Sequence, residues 1–123
     1  MKREAGVLLS VTSLPSKYGI GCFDSAAYEF VDRLERAGQS YWQILPLGSV
    51  SHGGAFDSPY QAYSAFAGNP YFISLDELIK EGALSREECD AVDFGSDPGR
   101  IDYDLLFQKR SLQCGVQYQA AGR

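Results

Sequence analysis

Ser40 to Leu47 reads SYWQILPL, a short and mostly apolar run that is typical of a strand buried on both faces. A similar run, GVLLSVT, extends from Gly6 to Thr12. Between the two runs, apolar residues recur at three- and four-residue spacing, Asp24 or Ser25 can cap the start of a helix, and Gly38 can end it. The order strand, amphipathic helix, strand predicts a parallel βαβ unit in an α/β fold.

The loops that follow the two predicted strands form the candidate site, because both leave the sheet at the end that carries the active site in α/β folds. The second loop, from Gly48 to Asn69, is long and rich in aromatic rings, hydroxyls and amides, which suits a polar, ring-shaped ligand such as a sugar. Tyr60 is its strongest candidate, because a tyrosine ring can stack on a sugar while its phenol binds a hydroxyl. The alternative is that Tyr60 only packs the loop against the protein.

Three other polar residues of this loop have both a ligand-binding and a structural interpretation. Gln61 can bind a sugar through its amide or can tie down the loop backbone. Asn69, which precedes Pro70, is expected chiefly to satisfy backbone groups. Asp57 has no evident second carboxyl group, which a retaining glycosidase places about 5 to 5.5 Å away. We therefore interpret Asp57 as a cap on the turn that follows it rather than as a catalytic acid.

Three segments of the chain resemble the opening of the 4-alpha-glucanotransferases of glycoside hydrolase family 77, also called amylomaltases or disproportionating enzymes. They are GVLLSVTSLPSKYGIG from Gly6 to Gly21, SYWQILPL, and DSPYQAYSAFAGNPYF from Asp57 to Phe72. The resemblance runs from about Arg3 to about Gln113. It implies a (β/α)8 TIM barrel, which needs roughly 250 residues to close. We therefore expect this chain to be an N-terminal fragment, holding the first part of the barrel and the start of a helical insertion.

The resemblance also implies the reaction and part of the site. Such enzymes transfer alpha-1,4-glucan segments between maltooligosaccharides, with retention and through a covalent glucosyl-enzyme. The SPYQ segment lines the donor side of their cleft, so Ser58 and Tyr60 carry over as substrate contacts. Their catalytic carboxylates come from later strand ends, so we expect no catalytic residue here and no activity from this chain alone. The candidate substrate-binding residues are Tyr60, Ser58, Gln61, Asp57 and Asn69.

Two alternatives to an enzyme fragment remain at this point. The chain could be a non-catalytic glucan-binding or interaction remnant that folds and binds maltooligosaccharides alone. It could also be a nucleotide-binding α/β domain, although only the glycine pair Gly19 and Gly21, after the first predicted strand, and the βαβ unit favour that interpretation. Cooperative unfolding of the isolated chain together with glucan binding would indicate the remnant, and nucleotide binding would indicate the nucleotide-binding domain.

The chain divides into two predicted units. Residues 1–73 comprise the first strands and helix of the barrel with the substrate loop, and residues 74–123 begin a helical insertion subdomain. Ser74 with Glu77, and Ser85 with Glu88, have capping-box spacing, which predicts two short helices. Asp102 can cap a third helix. A partial barrel leaves an open strand edge, so we expect the isolated chain to be marginally stable.

Composition narrows the range of partners and compartments. A formal net charge of −5 and a pI of about 4.7 argue against a nucleic-acid partner. No apolar segment approaches the roughly 20 residues that span a membrane. Three cysteines without a CxxC pair favour a reducing compartment, so we expect a cytoplasmic protein. We expect no metal or organic cofactor, and partners limited to maltooligosaccharide or starch- or glycogen-derived glucan and the missing C-terminal part of the barrel.

Overall fold

The computed structural model describes residues 3–50, 58–62, 64–95, 97 and 99–110. Strand β1 (Gly6–Leu8) and strand β2 (Tyr41–Gln43) pair in parallel, with Val7 opposite Trp42. Helix α1 (Ser25–Arg36) connects them. The predicted parallel βαβ unit is therefore confirmed.

Both strands are shorter than the sequence predicts, since each comprises three residues instead of seven or eight. After β1, the Ser10 hydroxyl accepts a hydrogen bond from the backbone amide of Thr12 at 3.3 Å, and Val11–Ser13 forms a 3-10 turn. A serine side chain that binds a nearby amide competes with strand pairing in this way. After β2, Pro46 has no amide proton to donate to a neighbouring strand. The predicted bounds, Gly6 to Thr12 and Ser40 to Leu47, were wrong at their C-terminal ends.

Helix α1 begins and ends where the sequence predicts. The Asp24 carboxylate accepts a hydrogen bond from the amide of Ala26 at 2.9 Å and so caps the helix N-terminus. Gly38 follows the C-terminal cap with a φ of 70°, a left-handed conformation that favours glycine. The Phe30 ring of α1 packs edge-on against the Trp42 ring of β2, with 5.0 Å between the centroids. Helix α1 therefore packs on one face of the sheet through this ring contact.

Among the described residues after position 73, three helices follow: α2 (Leu75–Lys80), α3 (Arg86–Asp90) and α4, which spans 103–110. Ser85 and Glu88 form the complete predicted capping box of α3. Ser74 caps α2, but the Glu77 carboxylate pairs with Lys80 at 2.5 Å, so the box predicted there is incomplete. None of the helices in the described ranges is long and apolar enough to cross a membrane.

One hydrophobic cluster joins the loop after β1, residues 9–24, to these helices. Tyr18 and Ile20 of that loop are buried against Leu75 of α2 and Leu106 of α4. The predicted boundary near residue 73 therefore falls within a shared core, and the division into two subdomains stays a prediction. This shared core places α2 to α4 beside the end of the sheet where both loops emerge.

Candidate functional site

Two neighbouring cavities lie at the end of the sheet where the chain leaves β1 and β2. The first has a volume of about 320 Å³. It is lined by Ser10, Thr12, Ser13, Ile20, Leu45, Pro46, Val50, Pro59, Asn69, Phe72, Ile101 and Tyr103. Residues that follow each strand thus meet in one cavity, which confirms that both loops emerge at the same end.

The second cavity, of about 680 Å³, lies between the loop after β1 and the segment that leads into α4. It is lined by Thr12, Ser13, Leu14, Pro15, Ser16, Lys17, Gly19, Ile20, Gly21, Phe94, Gly95, Asp97, Gly99, Arg100, Ile101 and Tyr103. Thr12 and Ile20 line both cavities. The loop after β1 is therefore a wall shared by the two.

The walls of the first cavity combine hydroxyls and an amide with apolar surfaces. Ser10 Oγ and Thr12 Oγ1 are hydrogen-bonded to each other at 2.7 Å. Ile20, Leu45 and Phe72 supply apolar surface. A few converging polar groups on an apolar wall are typical of small-molecule sites, and hydroxyl and amide groups suit a neutral polyhydroxylated ligand.

Asn69 forms hydrogen bonds to backbone groups through both its side chain and its own backbone. Its side-chain oxygen accepts a hydrogen bond from the backbone amide of Tyr71 at 2.9 Å. Its backbone amide donates to the Leu47 carbonyl at 2.9 Å. It thereby caps the 3-10 turn Pro70–Phe72 and ties it to the chain after β2. The expected role in satisfying backbone groups is confirmed, while ligand contact stays a prediction.

The tyrosine turn, residues 58–61, borders the first cavity through Pro59. The Ser58 hydroxyl accepts from the Tyr60 amide at 3.3 Å, and the Ser58 carbonyl accepts from the Gln61 amide at 3.1 Å. Tyr60 is 71% exposed, so its ring is not packed against the described part of the chain. Gln61 is exposed too. Asp57 lies outside the described residues.

The loop after β1, which lines the first cavity together with Pro59, is closely packed. Tyr18 and Ile20 are almost fully buried. A Cβ atom on Gly21 would lie 2.1 Å from the Val11 carbonyl oxygen, so the close approach of the two backbones requires glycine. Next to it, the buried Cys22 thiol lies 3.4 Å from the Asp24 carboxylate, and burial followed by the Asp24 charge raises the pKa of Cys22 to about 11.

A family model described as 4-alpha-glucanotransferase, glycoside hydrolase family 77, matches residues 9–119. The chain belongs to the 4-alpha-glucanotransferase family. This confirms the resemblance that the sequence motifs indicated. Among the relatives of this chain, the 4-alpha-glucanotransferase of Streptococcus pneumoniae serotype 4 is 53% identical over 109 residues, which cover 89% of this chain and 21% of that protein. The Thermus thermophilus 4-alpha-glucanotransferase is 47% identical over 107 residues, covering 87% of this chain and 20% of that protein.

A solved structure, the amylomaltase from Streptococcus agalactiae in complex with acarbose, superimposes on this chain with a TM-score of 0.88 at 45% sequence identity. The match covers 96% of this chain and 23% of the amylomaltase. The chain thus spans about a fifth of the length of the relatives it matches.

Sequence reasoning missed several residues that line the cavities. Thr12 comes soon after a strand, at the end where α/β folds place their sites, and that position was a usable signal. Tyr103 reaches both cavities from the start of α4, far along the chain. No local pattern indicates that approach, because it depends on how α4 packs on the loop after β1.

Proposed function

We propose that this chain forms part of the donor side of the glucan cleft in a 4-alpha-glucanotransferase. The enzyme transfers alpha-1,4-glucan segments between maltooligosaccharides, with retention and through a covalent glucosyl-enzyme. Family membership over residues 9–119 supports this proposal. The structural observation that carries it is the single cavity lined by residues that follow both parallel strands and by the tyrosine turn.

The described walls do not supply the chemistry of bond cleavage. Retaining glycosyl transfer needs a nucleophilic carboxylate and an acid/base carboxyl group about 5 to 5.5 Å apart. Among the described residues, no carboxylate lines the first cavity and only Asp97 lines the second. We therefore assign no catalytic residue to this chain and attribute the catalytic carboxylates to the rest of the longer enzyme.

Binding is the role that we assign to the tyrosine turn. The exposed Tyr60 ring offers a face for one glucose unit and a phenol for its hydroxyls, and Ser58 belongs to the same turn, whose Pro59 lines the first cavity. Gln61 and Asp57 flank them in the sequence, and Asn69 contributes from the cavity wall. These five residues remain the proposed substrate contacts.

The rest of a (β/α)8 barrel is the proposed partner of the two-stranded sheet. Leu8 and Tyr41 are each 60% exposed and lie on the face of the sheet opposite α1, whereas Trp42 packs against α1. In a closed barrel the face opposite the helices is the interior, which side chains fill. Both described cysteines, Cys22 and Cys89, are free, which supports the further proposal of a cytoplasmic location.

A chimera tests the proposed activity. In the Streptococcus pneumoniae enzyme, the matching 109-residue segment is replaced by that of this chain. We expect the chimera to convert maltotriose into glucose and longer oligosaccharides, and the 123-residue chain alone to do neither. A folded chimera without turnover would contradict the proposal, and sustained turnover by the isolated chain would contradict the assignment of the catalytic groups.

Tyr60→Ala in the chimera tests the assigned binding residue. Loss of one stacking face and one hydroxyl should lower kcat/KM for maltotriose by about 10- to 100-fold. Tyr28→Ala is the matched control, because Tyr28 is 69% exposed but lies on α1, away from the cavity linings. Equal effects of the two substitutions would remove Tyr60 from the site.

A further inference from the structure

One carboxylate of helix α2, that of Asp76, adds polar contacts to the apolar packing between α2 and the wall shared by the two cavities. The Tyr18 hydroxyl donates a hydrogen bond to Asp76 Oδ1 at 2.7 Å. The Lys17 ammonium lies 3.0 Å from the same oxygen, and the Arg86 guanidinium of α3 lies 3.9 Å from it. Asp76 of α2 thus gathers contacts from the loop after β1 and from α3.

The bond between Tyr18 and Asp76 is the strongest part of this group. Tyr18 is 3% exposed, and a hydrogen bond to an ionised carboxylate is stronger than one between neutral groups. The Lys17 side chain is half exposed, and ion pairs open to water contribute little to stability. We therefore expect the loop to depend on the tyrosine hydroxyl much more than on the lysine.

The protonation states of the pair fix the direction of this bond. Burial, and then the hydrogen bond to Asp76, raise the pKa of Tyr18, so the phenol keeps its proton near neutral pH. Burial alone would raise the pKa of Asp76, but the hydrogen bonds from Tyr18 and Lys17 and the charges of Lys17 and Arg86 together lower it. Asp76 is consequently an ionised acceptor, and Tyr18 is its donor.

A displacement of Tyr18 would move the cavity walls. Its neighbour Gly19 packs closely against the segment that leads into α4. A Cβ atom on Gly19 would lie 2.4 Å from the Phe94 carbonyl oxygen. Ile20, two residues after Tyr18, lines both cavities, and the Gly21 amide donates to the Thr12 carbonyl at 3.2 Å. Tyr18 is therefore linked through three consecutive residues to Thr12, which also lines both cavities.

We propose that Tyr18 and Asp76 are a positioning pair: by anchoring the loop after β1 to α2, they set the shape of the glucan cleft and hence its affinity for substrate. Neither side chain lines the first cavity, so each acts through the loop. This inference rests on the proposed glucanotransferase function. It gives α2 a role in substrate binding.

The kinetic test uses the chimera with Tyr18→Phe, which removes only the hydroxyl, and Asp76→Asn, which removes only the charge. We expect each substitution to raise KM for maltotriose about 3- to 10-fold and to change kcat less than about twofold, because ground-state binding is weakened. The double variant should lie within about twofold of the single variants, since both break one interaction. Lys80→Met is the matched control, because it removes an exposed ion pair with Glu77 on the same helix and Lys80 lines neither cavity, and we expect it to shift KM less than about twofold.

Hydrogen exchange supplies a readout that does not depend on turnover. We expect both substitutions to speed exchange of the Gly21 amide by about 10-fold while the amides of α1 keep their protection. An unsubstituted chimera without activity would refute the proposed function. The exchange measurement would still show whether Tyr18 and Asp76 anchor the loop after β1. An unchanged KM in both folded variants, a fall in kcat without a rise in KM, or unchanged Gly21 exchange would each overturn the proposal.

Discussion

The buried Cys22 thiol provides a quantitative test of how the loop after β1 meets α1. Its pKa is raised from 9.0 to about 11, first by burial and then by the charge of Asp24. A difference of two pKa units makes the thiolate about 100-fold rarer at pH 8 in the folded protein than in the unfolded one. Because the thiolate is the reactive form, alkylation of Cys22 should be at least about 100-fold slower in the native state.

The same shift sets the sign of the pH dependence of stability. Between pH 9.0 and about 11 the folded protein keeps the Cys22 proton while the unfolded chain loses it. The contribution of Cys22 to the free energy of unfolding is therefore fully present below pH 9. It decreases as the pH rises, by about 1.4 kcal/mol per pH unit or roughly 3 kcal/mol in all. Cys22→Ala removes this dependence, so the difference between the two proteins isolates it from the other groups that titrate in this range.

The assay is iodoacetamide labelling of the native and the urea-unfolded chimera from pH 7 to 10, with the Cys22 peptide quantified by mass spectrometry. Cys89, which is also free and buried and whose pKa burial also raises, serves as the internal reference. Native labelling of Cys22 at the unfolded rate, in a protein whose Cys89 is protected, would refute the described packing of the loop against α1.

Two further substitutions test the backbone around the site. Gly21→Ala should destabilise the chimera strongly in thermal unfolding, since its Cβ would overlap the Val11 carbonyl, whereas a Cβ at Gly68 meets no atom of the described residues within 4 Å and Gly68→Ala should be nearly neutral. Asp24→Ala should cost about 1 kcal/mol through loss of the α1 cap, and the exposed Asp32→Ala on the same helix should cost less than about 0.5 kcal/mol. Equal effects within either pair would contradict the contacts described.

Local chemistry accounts for what could be predicted of the fold. The caps at Asp24, Ser85 and Asp102 depend on a side chain and an amide a few residues away, and all three are present. The strand lengths were overestimated because Ser10 diverts the amide of Thr12 after β1. Apolar composition alone does not reveal such competition.

The candidate site was predictable only where chain order determines it. Loops after parallel strands must leave the sheet at one end, so the cavity beside Asn69 and Pro59 follows from the βαβ order. The contact of Tyr18 with Asp76 spans 58 residues, and Tyr103 approaches from α4. Such meetings depend on tertiary packing, which no local spacing encodes.

The most direct test of the central claim is a crystal structure of the chimera with acarbose, the ligand present in the related Streptococcus agalactiae structure. If this chain forms the donor side of the glucan cleft, a sugar ring will lie against the Tyr60 ring, with the Ser58 hydroxyl within hydrogen-bond distance of it. Acarbose bound elsewhere in the chimera, with the tyrosine turn and the first cavity filled only by solvent, would contradict the account.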